Sequence, residues 1–200
     1  MRVEKFSFIS WDIYDEPNIT LIISGENETY NETYRIYPEH YTFGTSSGGL
    51  VANVCYLPLP DIFISEPLPD EILQIWNQTN ISGKIVLIGR DVFFNRYWAE
   101  TFILKLKKER PLAILHTWAT IDFKMYPRFH SSNGGRGFYY YRENKIPVAW
   151  VDKSTAAKII KELNSNKTVT AVLRIPIKET QGEVRNIIAT IPGRNTSKKY

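Results

Sequence analysis

The strongest constraint on this chain is an ordered alternation of short apolar runs and amphipathic helices that begins at Gly83. Residues 84–89 (KIVLIG) are a compact apolar run of strand length. Residues 95–110 then set Trp98, Ala99, Phe102, Ile103 and Leu106 on one helical face, with Glu100, Lys107 and Lys108 elsewhere, and Pro111 stops the helix. A second buried strand is expected over 112–115 and a third over 146–151 (IPVAWV). Asp152 or Ser154 can cap the next helix, whose apolar face is Ala156, Ile159, Ile160 and Leu163. Residues 169–175 alternate as a half-buried strand does, with Val169, Ala171, Leu173 and Ile175 inward and Thr170 and Arg174 outward. A last β run covers 187–191, ahead of Pro192 and Gly193. Strands and helices in this order read as α/β.

The part before Gly83 reads as mostly β. Short strands are expected at 20–23, 34–37 and 41–43, with residues 24–27 (SGEN) as turn chemistry between the first two. Residues 44–49 form a Ser/Gly loop, and the apolar run 50–57 is a buried strand stopped by Pro58 and Pro60. The Pro-punctuated stretch 61–75 has room for one short helix. No apolar run approaches the roughly 18 residues of a membrane span. Residues 1–10 lack the apolar centre of a signal peptide, so a soluble chain is expected.

Taken in order, these motifs resemble the protease-associated (PA) domain. Residues 82–118 (SGKIVLIGRDVFFNRYWAETFILKLKKERPLAILHTW) resemble its Gly-Lys-Ile-Val strand, charged turn, helix and apolar strand. Residues 145–163 (KIPVAWVDKSTAAKIIKEL) resemble its Ile-Pro-Val strand and capped helix. Residues 45–61 (TSSGGLVANVCYLPLPD) resemble the strand that enters the domain. Finally, residues 184–193 (VRNIIATIPG) are similar to the segment that opens the catalytic domain of two-zinc aminopeptidases and their carboxypeptidase and transferrin-receptor relatives. Each motif alone is weak; four in the right order are specific.

The resemblance implies a swivelling β/β/α fold, β-rich, with about two main helices on one side. It implies a β-rich flank over 1–43 and a PA domain over 44–180, with core motifs in 81–178. Residues 181–200 would then lead into a peptidase domain. Two departures stand out. Leu112-Ala113 stands where the family often has Gly-Ala, and residues 194–200 hold none of the His and Asp that follow the Ile-Pro-Gly segment in the zinc peptidases. The chain therefore resembles an excised PA region that is not itself an enzyme. No cofactor is expected in it, and zinc is implied only for the catalytic domain.

The residues offer little chemistry of their own. Cys55, the only cysteine, lies in an apolar run and reads as a buried structural thiol. His40, His116 and His130 form no His-x-x-x-His or His-x-Asp pair. His116 follows a buried strand six residues before Asp122, as a ligand or base would, or as a hydrogen-bonded structural histidine would. There is no Gly-x-Ser-x-Gly elbow, and residues 131–137 (SSNGGRG) lack the Lys-Ser/Thr of a phosphate loop. The stretch 119–145 is too long for a simple connection. It combines Lys124, Arg128, His130, Arg136 and Arg142 with Tyr126, Phe129, Phe138, Tyr139, Tyr140 and Tyr141. Arginine and tyrosine suit peptide ends and interfaces. The resemblance implies that this part can face the catalytic cleft, so Arg128, His130, Arg136 and Tyr139–Tyr141 are the expected gating or partner-binding residues, with a packed surface loop covering its own core as the alternative.

Charge is unevenly spread: residues 1–80 carry 3 Lys/Arg against 12 Asp/Glu, and residues 81–200 carry 22 against 9. The basic residues are dispersed and no groove-entering motif accompanies them, so nucleic acid is not an expected partner. Asn-x-Ser/Thr sequons occur at Asn18, Asn27, Asn31, Asn77, Asn80, Asn166 and Asn195, where the composition predicts roughly two by chance. Many sequons without disulfides suggest a prokaryotic surface or secreted protein whose targeting segment lies outside this chain. The expected partners are a peptidase domain in the same parent chain and a peptide or protein substrate, with a homodimer as a further possibility. The alternative function is a partner-binding ectodomain of a receptor-like, inactive relative. Zinc ligands downstream of Tyr200 in the parent gene would favour the peptidase, and their loss would favour the receptor. An autonomous hydrolase ranks third.

Overall fold

A computed structural model describes residues 2–26, 28–39, 42–60, 66–93, 95–117, 141 and 143–188. In chain order the elements are β1 Arg2–Ile13, β2 Asn18–Ser24, β3 Thr29–Arg35, β4 Tyr37–Pro38, β5 Leu50–Leu57, α1 Asp70–Gln78 and β6 Ile85–Gly89. A 3-10 turn, Arg90–Phe93, leads to α2 Arg96–Glu109 and β7 Ala113–Thr117. Then come β8 Val148–Trp150, α3 Lys153–Asn164, β9 Thr168–Arg174 and β10 Ile177–Ile188. Two units separate, residues 13–177 and a smaller one from the two ends of the chain, residues 1–12 with 178–200. In the smaller unit β1 pairs with β10. Lys5 meets Glu183 at 3.2 Å, and the Thr180 hydroxyl donates to Asp12 at 2.6 Å.

The larger unit holds one eight-stranded sheet in the order β3-β2-β9-β5-β6-β7-β8-β4, and β5 is its pivot. Residues 50–53 of β5 pair antiparallel with β9, whereas residues 54–57 pair parallel with β6. One wing, β3-β2-β9-β5, is therefore antiparallel. The other runs parallel from β5 to β8 and is closed by the antiparallel β4. Two close backbone approaches shape the entry to β5. A Cβ on Gly44 would sit 2.7 Å from the Ile177 carbonyl oxygen, and Gly49 takes φ +84, which glycine adopts without steric cost.

Because successive side chains of a strand point to opposite faces, the parallel wing builds two cores. Ile85, Leu87, Ala113, Leu115 and Ala149 face one way and join Ile19, Leu21, Ala171 and Leu173 from β2 and β9, with Ala156 and Ile159 of α3. Val86, Ile88, Ile114 and Val148 face the other way and meet Trp76 of α1 and Trp98, Phe102 and Leu106 of α2. Continuous apolar runs are what strands covered on both faces require. Asn95 caps α2, its side chain accepting from the backbone N–H groups of Tyr97 (2.8 Å) and Trp98 (3.3 Å). At the other end of α2, Lys105 binds Glu109 at 2.7 Å, and Glu109 also accepts from the Ile81 N–H at 2.9 Å.

The β-rich α/β fold expected from the sequence is present. About two helices were expected, on one side; three are present among the described residues, with α1 and α2 on one core and α3 on the other. Each amphipathic helix needs an apolar sheet face to cover, and the parallel wing offers two. The inward set Val169, Ala171, Leu173 and Ile175 is buried as its period of two requires. Asp152 occupies the N-cap position of α3, without a side-chain capping bond. Residues 42–43 are not a strand: the Thr42 hydroxyl instead accepts from the Val148 N–H at 2.6 Å. Cys55 is buried, its thiol 3.8 Å from the Ile85 carbonyl oxygen, and burial pushes its pKa up to about 11, which fits a structural thiol.

A charged brace joins α3 to the β2–β3 hairpin. Glu162 receives Lys158 at 3.4 Å and Lys167 at 3.2 Å, while Lys158 reaches Glu32 at 3.3 Å and Lys167 reaches Glu28 at 2.7 Å. Both ammonium groups lie over the Tyr30 ring, at 5.2 and 5.5 Å from its centroid. Burial pushes the Glu162 carboxyl up, but hydrogen bonds from Lys167, Tyr30 and Lys158 outweigh it and hold the pKa below its ordinary 4.5. The Tyr34 hydroxyl does the same for Glu32. A depressed carboxylate stabilises the fold above its unfolded pKa, and that contribution disappears as pH falls through the folded value. The melting temperature is therefore expected to drop below about pH 4.5, and Glu162→Gln should flatten that acid limb in a pH series of thermal melts. An unchanged acid limb in the variant would remove Glu162 as its source.

Candidate functional site

The parallel strands β6, β7 and β8 end together at Gly89, Thr117 and Trp150, and in open α/β sheets ligand crevices lie outside such carboxyl ends. His116 and Trp150 are register partners, so their side chains share a face. Their ring centroids are 5.6 Å apart. Tyr37 of β4 pairs with Trp150 on its other side. Glu39, just beyond β4, is anchored by its N–H to the Val148 carbonyl oxygen at 3.0 Å. Its carboxylate accepts the Trp150 indole N–H. Phe93, ending the turn after β6, stands edge-on to His116 at 5.8 Å and to Tyr141 at 5.9 Å. The Tyr141 hydroxyl lies 3.4 Å from His116 Nε2, either atom being able to donate.

This arrangement is an aromatic floor: His116, Tyr141, Trp150 and Glu39 are all at least nine-tenths buried. One oxygen within it, Glu39 Oε1, has no hydrogen-bond partner among the described residues. Buried polar atoms of that kind are costly and mark places where a polar group can be received. No three His, Cys, Asp or Glu side chains come together among the described residues in a way that could hold a metal ion. His116 and Thr117 precede the long stretch identified from the sequence and Tyr141 lies near its end, and His116 and Tyr141 are in contact.

Of the expected gating residues, Tyr141 is placed within the core, 6% exposed. Arg128, His130, Arg136, Tyr139 and Tyr140 lie outside the described residues, as do His40, Asp122 and Arg142. His116 is brought to the floor, whereas Glu39, Thr117, Phe93 and Trp150 were not singled out by sequence reasoning. The Glu39–Trp150 bond spans 111 residues, and no local pattern around Glu39 announces it. The one available signal was strand-end position: His116, Thr117 and Trp150 close two of the apolar runs.

No family model matches this chain, and no curated protein does. Solved structures do. An aminopeptidase from Aneurinibacillus sp. strain AM-1 is similar with a TM-score of 0.55 and 14% sequence identity, covering 92% of this chain and 36% of its own. A peptidase M28 precursor from Shewanella amazonensis SB2B is similar with a TM-score of 0.50 and 16% identity, covering 92% of this chain and 39% of its own. The likeness is one of fold, and the chain spans well under half the length of either structure.

Proposed function

We propose that this chain is the non-catalytic protease-associated part of a zinc exopeptidase, shaping access to a catalytic domain of the same parent protein. The observation that carries the reading is the fold likeness to peptidase structures, over nearly all of this chain and little more than a third of theirs. The order of the four PA-like motifs supports it independently. In this reading zinc belongs to the catalytic domain, and the aromatic floor under His116 and Trp150 anchors the ends of the Arg- and Tyr-rich stretch that faces the substrate.

Two measurements test it. The purified chain is expected to bind no stoichiometric zinc and to release no product from amino-acid p-nitroanilides. Chelator-sensitive turnover that co-purifies with the chain would instead make it an enzyme. In the complete parent enzyme, Arg128→Ala with Arg136→Ala is expected to change kcat/KM unequally for acidic, basic and neutral peptides. Equal kinetics on all three would leave the stretch without a gating role.

A further inference from the structure

The geometry points to N-linked glycosylation of this chain at Asn31, Asn166 and the Asn77/Asn80 pair, with Asn18 left bare. Five of the seven sequons fall on described side chains; Asn27 and Asn195 lie outside them. Asn31, Asn77, Asn80 and Asn166 are all exposed. Asn31 projects from β3, a strand at one edge of the sheet, in the exposed half of its alternation. Asn77 lies in the last turn of α1, and Asn80 follows the helix. The Asn80 Oδ1 accepts the Ser82 N–H at 2.9 Å, an Asx turn that leaves the amide nitrogen without a partner among the described residues. Asn166 takes φ +58 just after α3, a left-handed position that asparagine tolerates.

Asn18 differs in the atom that matters. It is half-buried within β2, between Arg35 and Arg174 on the neighbouring strands, and its Nδ2 donates to the Glu16 carbonyl oxygen at 3.0 Å. Among the described sequons, it alone has its nitrogen engaged in this way. In the transfer, Nδ2 bonds to C1 of the terminal sugar of a lipid-phosphate-linked oligosaccharide. The C1–O bond breaks, the lipid phosphate leaves with the electron pair, and the proton from Nδ2 passes to a base of the transferase. Nothing is oxidised or reduced. An Nδ2 already committed to Glu16 is held back from that attack.

The distribution has a consequence for the rest of the surface. No sequon begins between Ser82 and Ser165, the stretch that supplies β6, α2, β7, β8 and the Arg- and Tyr-rich residues. Asn77 and Asn80 sit where α1 returns to the amino end of β6. Sugar at Asn77 and Asn80 lies at the opposite end of β6 from the carboxyl ends that carry His116 and Trp150. The inference is independent of the exopeptidase reading.

The test uses the folded full chain made in a bacterial cytosol. It is incubated with a single-subunit oligosaccharyltransferase that accepts plain Asn-x-Ser/Thr and with its lipid-linked oligosaccharide, and each sequon is then read by peptide mass spectrometry. Synthetic peptides spanning the same sequons serve as unfolded controls. One glycan mass is expected at Asn31, one at Asn166 and at least one across Asn77 and Asn80. Asn18 should be modified in its peptide but not in the folded chain. Failure of any of those three positions in the folded chain, when its peptide is modified, would overturn the proposal. So would equal modification of Asn18 in chain and peptide.

Discussion

Phe102→Ala is expected to cost about 3–5 kcal/mol of unfolding free energy, the range for truncating a fully buried aromatic residue. Phe102 is 0% exposed and stands edge-on to Trp76 at 5.8 Å and to Phe93 at 5.9 Å. It therefore joins α1, α2 and the turn after β6 in one contact set. Domains of this size have only about 5–15 kcal/mol in total, so the loss is a large fraction of the whole. Urea denaturation followed by tryptophan fluorescence checks this. Phe102→Leu, which retains most of the volume, should lose clearly less. A loss under about 1 kcal/mol for the alanine variant would mean that the neighbours collapse into the space. Because Phe93 also touches His116 and Tyr141, the same cavity should loosen the aromatic floor.

Trp150→Phe is expected to lower stability by about 3 kcal/mol, mainly through Glu39. The ring volume is largely kept, but the indole N–H that reaches the buried carboxylate is lost, and the other carboxylate oxygen already has no partner among the described residues. A buried acceptor stripped of its donor costs more than the bond contributed. Glu39→Met alone should cost less, because Trp150 loses a partner but no buried carboxyl oxygen is left without its donor. The double variant Trp150→Phe, Glu39→Met should recover more than about 1 kcal/mol relative to the sum of the two single losses. Strictly additive losses in the same denaturation series would show that the two side chains do not depend on each other.

Much of the larger unit was legible from local pattern. The α2 face of Trp98, Phe102 and Leu106 and the β9 set from Val169 to Ile175 follow from periodicities of 3.6 and 2. They are buried as those periods require. Less visible was β1, for which no strand was expected and whose pairing partner, β10, comes from the other end of the chain. The β3–β4 region was also blurred, because Tyr34 to Tyr37 reads as one run but belongs to two strands on opposite edges of the sheet. The candidate site was half visible. His116 and Tyr141 stood out by residue type, whereas Glu39 looked like a loop residue and Thr42 read as part of a short strand. Their roles come from pairing with β8, more than a hundred residues away.

By itself, the sequence determined the α/β class and the strand and helix order after Gly83, because those rest on contacts a few residues apart. It also determined that the apolar runs would be covered. It could not determine that β5 divides its two halves between an antiparallel and a parallel neighbour, nor that the helices would be shared between two cores. Nor could it bring Glu39 beneath Trp150, or set Tyr141 against His116. Those arrangements depend on which strand edges and sheet faces remain free once the local elements have formed, and only the packed sheet decides that.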